Sequence, residues 1–142
     1  MGILDHMAKA VGEITRMKRT EKKEQSMTPE QKQKVDVLTQ KAENGNTAAM
    51  FDLGVMYFQG NVVRYDPDMA LYWWKQAANK GNVSAQYNIG CLYHGNETTM
   101  FYDEDLAGYW FSLAARNGDK DAAEMLEKFY TFNRFRKKWE RK

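Results

Sequence analysis

Apolar positions recur at helical spacing through most of the chain, and capping residues mark the breaks between stripes. Over residues 3–17, Ile3, Leu4, Met7, Val11, Ile14 and Met17 share one stripe, the pattern of an amphipathic helix. The run from Arg16 to Ser26 carries Lys18, Arg19, Lys22 and Lys23 and no large apolar residue except Met17. It cannot bury a face and is expected to be a solvated basic connection. At Thr28 the signals sharpen, with Thr28 as N-cap, Pro29 at the first helical position and Gln31 completing a capping box. Val35, Leu38 and Ala42 supply the buried stripe of that helix, and Asn44-Gly45 ends it.

The same grammar then repeats. Asn46 caps a helix running to about Phe58, Gly60 to Tyr65 is loop, and Asp66-Pro67 opens a second helix through Trp73, Trp74, Ala77 and Ala78 to Gly81. Asn82 caps the next helix, Gly95 to Tyr102 is loop, and Asp103 caps a helix over Leu106 to Ala115. A further unit begins at Asp119 and shows only its first helix. Individual residues recur at an offset of 36 or 37: Gly45, Gly81 and Gly118; Ala49, Ala85 and Ala122; Leu53, Ile89 and Leu126; Tyr57, Tyr93 and Tyr130. In the second half of the unit Asp66, Ala70, Trp73, Ala77 and Ala78 return as Asp103, Ala107, Trp110, Ala114 and Ala115. A fixed period of this length predicts a solenoid.

Gly54 and Gly90 sit in helix interiors, where glycine costs about 1 kcal/mol relative to alanine. Such a cost is expected where a neighbour comes too close for a Cβ. Ala77-Ala78 and Ala114-Ala115 are the expected neighbours, with Trp73, Trp110, Tyr57 and Tyr93 filling the wider gaps.

The combination Leu53-Gly54-x-x-Tyr57, Ala70-x-x-Trp73 and Ala77-Ala78, repeated once, resembles the Sel-1-like repeat, a relative of the tetratricopeptide repeat. The likeness covers residues 45–115, with partial matches over 28–44 and 116–130. It implies an all-α, right-handed solenoid of antiparallel helix pairs acting as an adaptor or scaffold, often in bacterial or signalling complexes, and it does not imply an enzyme. The expected organisation is an N-terminal amphipathic helix and basic linker over 1–27, a solenoid over 28–118 and a capping helix with a basic aromatic tail over 119–142. Within the solenoid, 28–44 is a half unit and 45–80 and 81–117 are full units. Two departures stand out. The second loop is one residue longer, so Asn96 to Tyr102 is expected to take another path. Glu127 replaces the mid-helix glycine in the third copy, and the array should end there, because solenoids need a polar end face.

A spacing of about 100° per residue gives the first helix two apolar stripes. Met50, Leu53, Gly54 and Tyr57 form one; Phe51, Val55 and Phe58 form the other, matched by Tyr87, Cys91 and His94 in the next copy. By the resemblance this second stripe lines the concave face, so Phe51, Val55, Phe58, Tyr87, Cys91 and His94 are the expected partner-binding residues for a peptide or helix of another protein. The alternative is that the N-terminal helix fills the groove.

Composition narrows the chemistry. The 142 residues, 43% hydrophobic, suffice for one domain with a core. One cysteine, Cys91, excludes an intramolecular disulfide. No apolar run reaches 18 residues, and no signal core precedes a small-residue cleavage site, so a soluble, cytoplasmic protein is expected. Cys91 and His94 are three apart on a helix, but a nucleophile also needs an orienting third group and an oxyanion site, and none is announced. His6 and His94 are the only histidines, and Asp103-Glu104-Asp105 lacks the alternating ligands and glycine of a calcium loop. No catalytic residue, metal or cofactor is expected.

Charge is uneven beneath a net +2. Residues 1–27 carry six basic and four acidic side chains, 28–115 six and ten, and 116–142 nine and five. In the last segment Phe132, Phe135 and Trp139 interleave with Arg134, Arg136, Lys137, Lys138, Arg141 and Lys142. Such a stretch suits phosphate tracking and base stacking or an anionic membrane; the favoured expectation is a capping helix whose charges keep the end soluble. Three function classes remain: an interaction module using its concave face, a nucleic-acid-associated protein using its basic C-terminus, and an inhibitor or immunity-type protein masking one target. The oligomeric state is left open.

Overall fold

In the structure, a computed structural model that describes residues 27–95 and 100–142, six helices are followed by a two-stranded hairpin. The helices are α1 (Pro29–Glu43), α2 (Thr47–Gln59), α3 (Pro67–Asn79), α4 (Val83–His94), α5 (Glu104–Arg116) and α6 (Lys120–Phe129). The hairpin is β1 (Tyr130–Asn133) with β2 (Lys138–Arg141). The stripe over residues 3–17 and its basic linker lie outside the described residues.

Each helix packs on its neighbours in sequence, most heavily within the pairs α2–α3 and α4–α5. Three nearly identical corners set this order. At Gly45, Gly81 and Gly118 φ is 93°, 93° and 96°, the left-handed region in which a Cβ is penalised. At each corner the next residue donates back into the preceding helix, Asn46 N to Lys41 O, Asn82 N to Ala77 O and Asp119 N to Ala114 O, all at 3.0 Å. This is the Schellman closure. The same three residues, Asn46, Asn82 and Asp119, then cap the following helix through their side chains at 2.8–2.9 Å. One short corner therefore ends one helix and starts the next, which fixes the angle between successive pairs.

Within a pair, the backbone N–H of Asp66 donates to Tyr57 O at 2.9 Å, and that of Asp103 to Tyr93 O at 3.0 Å. The second loop, though one residue longer, returns to the same bond. Asp66 and Asp103 cap α3 and α5 through Met69 N and Leu106 N, and the predicted capping box at Thr28 is present.

Alanines at the repeat positions let the helices approach closely: Ala42, Ala70, Ala77, Ala85, Ala107, Ala114 and Ala122 are fully buried around Leu53, Ile89 and Phe111. Burying each large side chain contributes about 1.5–3 kcal/mol. The mid-helix glycines face a different neighbour from the one expected. A Cβ on Gly54 would lie 2.2 Å from Trp74 Cδ1, and one on Gly90 2.7 Å from Phe111 Cδ1. It is these rings, at equivalent repeat positions, that require glycine; the alanine pairs do not.

The C-terminus also departs from expectation. Helix α6 stops at Phe129, and Tyr130, whose repeat equivalents are helical, is extended at φ −128°, ψ 148°. From there the chain forms a hairpin in the register Tyr130↔Arg141 and Phe132↔Trp139, with no capping helix beyond α6. Tyr-Thr-Phe favours a strand, and Asn133 opens the turn by accepting from Phe135 N and Arg136 N at 3.1 and 3.0 Å. The hairpin lies across α5, where Gly108 leaves room for Trp139.

Candidate functional site

The six residues expected on one concave stripe separate into four settings. Val55, Phe58 and Cys91 line a groove of about 590 Å³ between α2 and α4. Trp74 forms part of its wall, Leu92 stands beside Cys91, and Phe101 enters from the loop before α5. Phe58 is 42% exposed and leans on Trp74 and Tyr65, with ring centroids 5.4 and 6.0 Å apart. The groove combines an apolar wall with the polar groups of Gln59 and Asn88. Phe51 is half-buried and packs on the core. Tyr87 lines a separate pocket of about 530 Å³ with Asp121, Met125 and Phe129 of α6.

His94 has an internal role that the sequence did not disclose. Its ring meets those of Phe111, Phe129 and Tyr130 at 6.0, 5.1 and 5.6 Å. Nδ1 lies 2.5 Å from Tyr130 Oη and 3.2 Å from Arg141 Nη2. A guanidinium can only donate, so Nδ1 must be the acceptor and the ring is neutral. Burial, then the Arg141 charge, hold its pKa below the ordinary value. The hairpin thus covers this end of the stripe.

Cys91 does not pair with His94. Its partner is Tyr87, whose hydroxyl is pushed up to about 12 first by that hydrogen bond and then by burial. The Cys91 side chain is exposed on α4; desolvation by the surrounding protein, with Asp119 and Asp121, raises its thiol above the ordinary value. A thiol held protonated, with a histidine committed elsewhere, is poorly placed as a nucleophile. Among the described residues no cluster of three or more His, Cys, Asp or Glu side chains could hold a metal ion, and no helix is long and apolar enough to cross a membrane.

The basic tail is likewise divided. Arg141 donates through Nη2 to the carbonyls of His94 and Gly95, the latter at 3.1 Å, and stacks 5.3 Å from the Tyr102 ring centroid. Lys142 donates through Nζ to Glu127 O and through its backbone to Phe129 O at 2.8 Å. Lys138 is half-buried; the Tyr102 hydrogen bond, then Arg141 and last the Lys138 charge lower the Glu104 pKa. Arg134, Arg136 and Lys137 remain exposed at the hairpin tip, Arg136 within 3.4 Å of Glu140.

Sequence reasoning missed Leu92 and Phe101 in the groove and the joint His94–Tyr130–Arg141 contact. The groove residues sit off both stripes, and the His94 contact joins residues 36 and 47 apart, which no local periodicity reports. Tyr130 alone gave a signal, because it holds the repeat position of Tyr57 and Tyr93.

The comparisons agree with this geometry. A family model described as Sel1 repeat matches residues 47–82 and 83–119, together about half of the chain. Among solved structures, c5321, a protective antigen of uropathogenic Escherichia coli strains displaying an SLR fold, is similar at 35% identity and TM-score 0.59 over 64% of this chain. A Sel1 repeat protein from Oxalobacter formigenes is similar at 30% identity and TM-score 0.58 over 63% of this chain. The aligned portions are 19% and 26% of those longer chains. Sel1 repeats generally mediate protein interactions, and with two matched copies stacked as helix pairs this chain belongs to the Sel1 repeat family.

Proposed function

We propose that the chain is a non-catalytic interaction module that takes a peptide or helix of another protein in the groove between α2 and α4. The observation that carries this is the groove of about 590 Å³ with Phe58 standing exposed at its edge beside Val55, Cys91, Leu92 and Phe101. Apolar surface concentrated in a concave site, with amides at its margin, suits an amphipathic segment. The protonated thiol of Cys91 and the committed His94 support a non-catalytic role. An inhibitor or immunity-type role, masking one target, would use the same groove.

A photo-crosslinker placed at Phe58 identifies the partner, and calorimetry with the purified partner then measures Phe58→Ala combined with Leu92→Ala. The expected loss is about 2 kcal/mol or more, the hot-spot scale, with helical content unchanged. Full affinity in a folded double variant would move binding to another surface. The nucleic-acid alternative has fewer free charges to draw on, since Arg141 and Lys142 are tied to the body of the protein.

A further inference from the structure

Phe135 is 100% exposed, at the tip of a hairpin whose base is firmly held. Trp139 fills the notch at Gly108, its backbone N–H donates to Asp105 at 2.7 Å, and that of Arg141 donates to Glu104 at 3.3 Å. The turn itself is organised by Asn133, which accepts from Phe135 N and Arg136 N and donates to Glu140 at 3.2 Å. Lys137, at φ 54°, closes it. The ring is therefore presented on a built finger, ringed by exposed Arg134, Arg136 and Lys137. Glu140 is the acidic group near this collar and pairs with Arg136; Glu104 and Asp105 lie at the base, engaged with the backbone of β2.

We propose that this tip docks on an anionic lipid surface, with Phe135 entering the interfacial layer and Arg134, Arg136 and Lys137 against lipid phosphates. Phenylalanine, flanked by Lys and Arg, buries at the headgroup–acyl boundary of interfacial segments, and basic residues near an anionic leaflet each add about fivefold to binding. The shape favours lipid over nucleic acid. Single strands are bound in basic grooves that track the backbone and stack successive bases, whereas a convex tip with one ring suits a surface that can deform around it.

The test is flotation of the full chain with phosphatidylcholine vesicles with and without phosphatidylserine, beside single-stranded and duplex oligonucleotides. Binding is expected to the phosphatidylserine vesicles alone and to weaken with salt. Phe135→Ala should lower it about tenfold or more, as loss of a buried phenyl implies. Arg134→Gln with Lys137→Gln should lower it about twenty-five-fold. These side chains are exposed, so the variants should melt as the parent does. Absence of binding to anionic vesicles, equal binding by Phe135→Ala, or tighter binding to an oligonucleotide would each overturn the proposal. The groove between α2 and α4 is untouched by these variants, so this outcome and that of the partner experiment are independent.

Discussion

The indole of Trp139 occupies the space that a side chain at Gly108 would need: an added Cβ would lie 2.3 Å from Trp139 Cβ and 2.4 Å from Cγ. Glycine to alanine inside a helix ordinarily stabilises by about 0.5–1 kcal/mol. Here the sign should reverse, because the hairpin must lift off α5. Gly108→Ala is expected to lower the melting temperature, and the same change in a Trp139→Gly background, which removes the clashing Cβ together with the ring, to raise it. Equal shifts in both backgrounds would show that the hairpin does not rest on this notch.

The first repeat junctions carry a parallel expectation. Gly54→Ala places a Cβ against the buried Trp74 ring and Gly90→Ala against Phe111, and each should destabilise by about 1–3 kcal/mol through overpacking. Phe111→Ala removes every clashing atom at the second site, so the cost of Gly90→Ala should shrink by about 0.5 kcal/mol or more in that background. A thermodynamic cycle from denaturant melts measures it. Additive effects would place the glycine's neighbour elsewhere.

These contacts show how far the sequence could be read. The period exposed the helix boundaries within the repeats, because Asn46, Asn82 and Asp119 each serve as both corner and cap. The glycines announced a close approach, and Trp74 and Phe111 hold equivalent repeat positions, but their apolar type does not say which helix face meets the glycine, because the alanine pairs a few residues on fit it equally well. The hairpin stayed hidden for another reason: its aromatics and cations fit a helix or two short strands, and the seat of Trp139 on Gly108, far upstream, is a contact that no local pattern reports. In the candidate site Val55, Phe58 and Cys91 of the stripe line one groove, and Phe51 lies apart from it against the core. His94 was drawn away by Arg141, a partner beyond the range of any local pattern.

His94 also gives the fold a pH dependence with a definite sign. Its folded pKa is depressed by burial and then by Arg141, so the folded state favours the neutral ring. The contribution is fully present above the unfolded value of about 6.5 and is lost as pH falls from there toward the lower folded pKa. Protonation would set an N–H on Nδ1 against Arg141 Nη2 and remove the acceptor for Tyr130. Melting temperature should fall between about pH 7 and about pH 5.5, and His94→Gln should flatten that slope. A slope unchanged in the variant would assign it to other groups.

Phe51 and Phe58 share a stripe on α2, but the structure gives them opposite expectations. Phe51 is half-buried and packs on the core cluster, whereas Phe58 is 42% exposed at the groove edge. Full burial of a phenylalanine is worth about 3–5 kcal/mol on truncation to alanine. Partial burial scales this down, so Phe51→Ala should cost about 1–2 kcal/mol of stability and leave partner affinity nearly unchanged once folded protein is compared. Phe58→Ala surrenders its stacking on Trp74 and Tyr65, about 1 kcal/mol, and should register mainly in binding. Urea melts and calorimetry on the two variants separate the roles. If Phe51→Ala weakens binding while Phe58→Ala does not, the partner contacts α2 around Phe51, and the groove between α2 and α4 is not its seat.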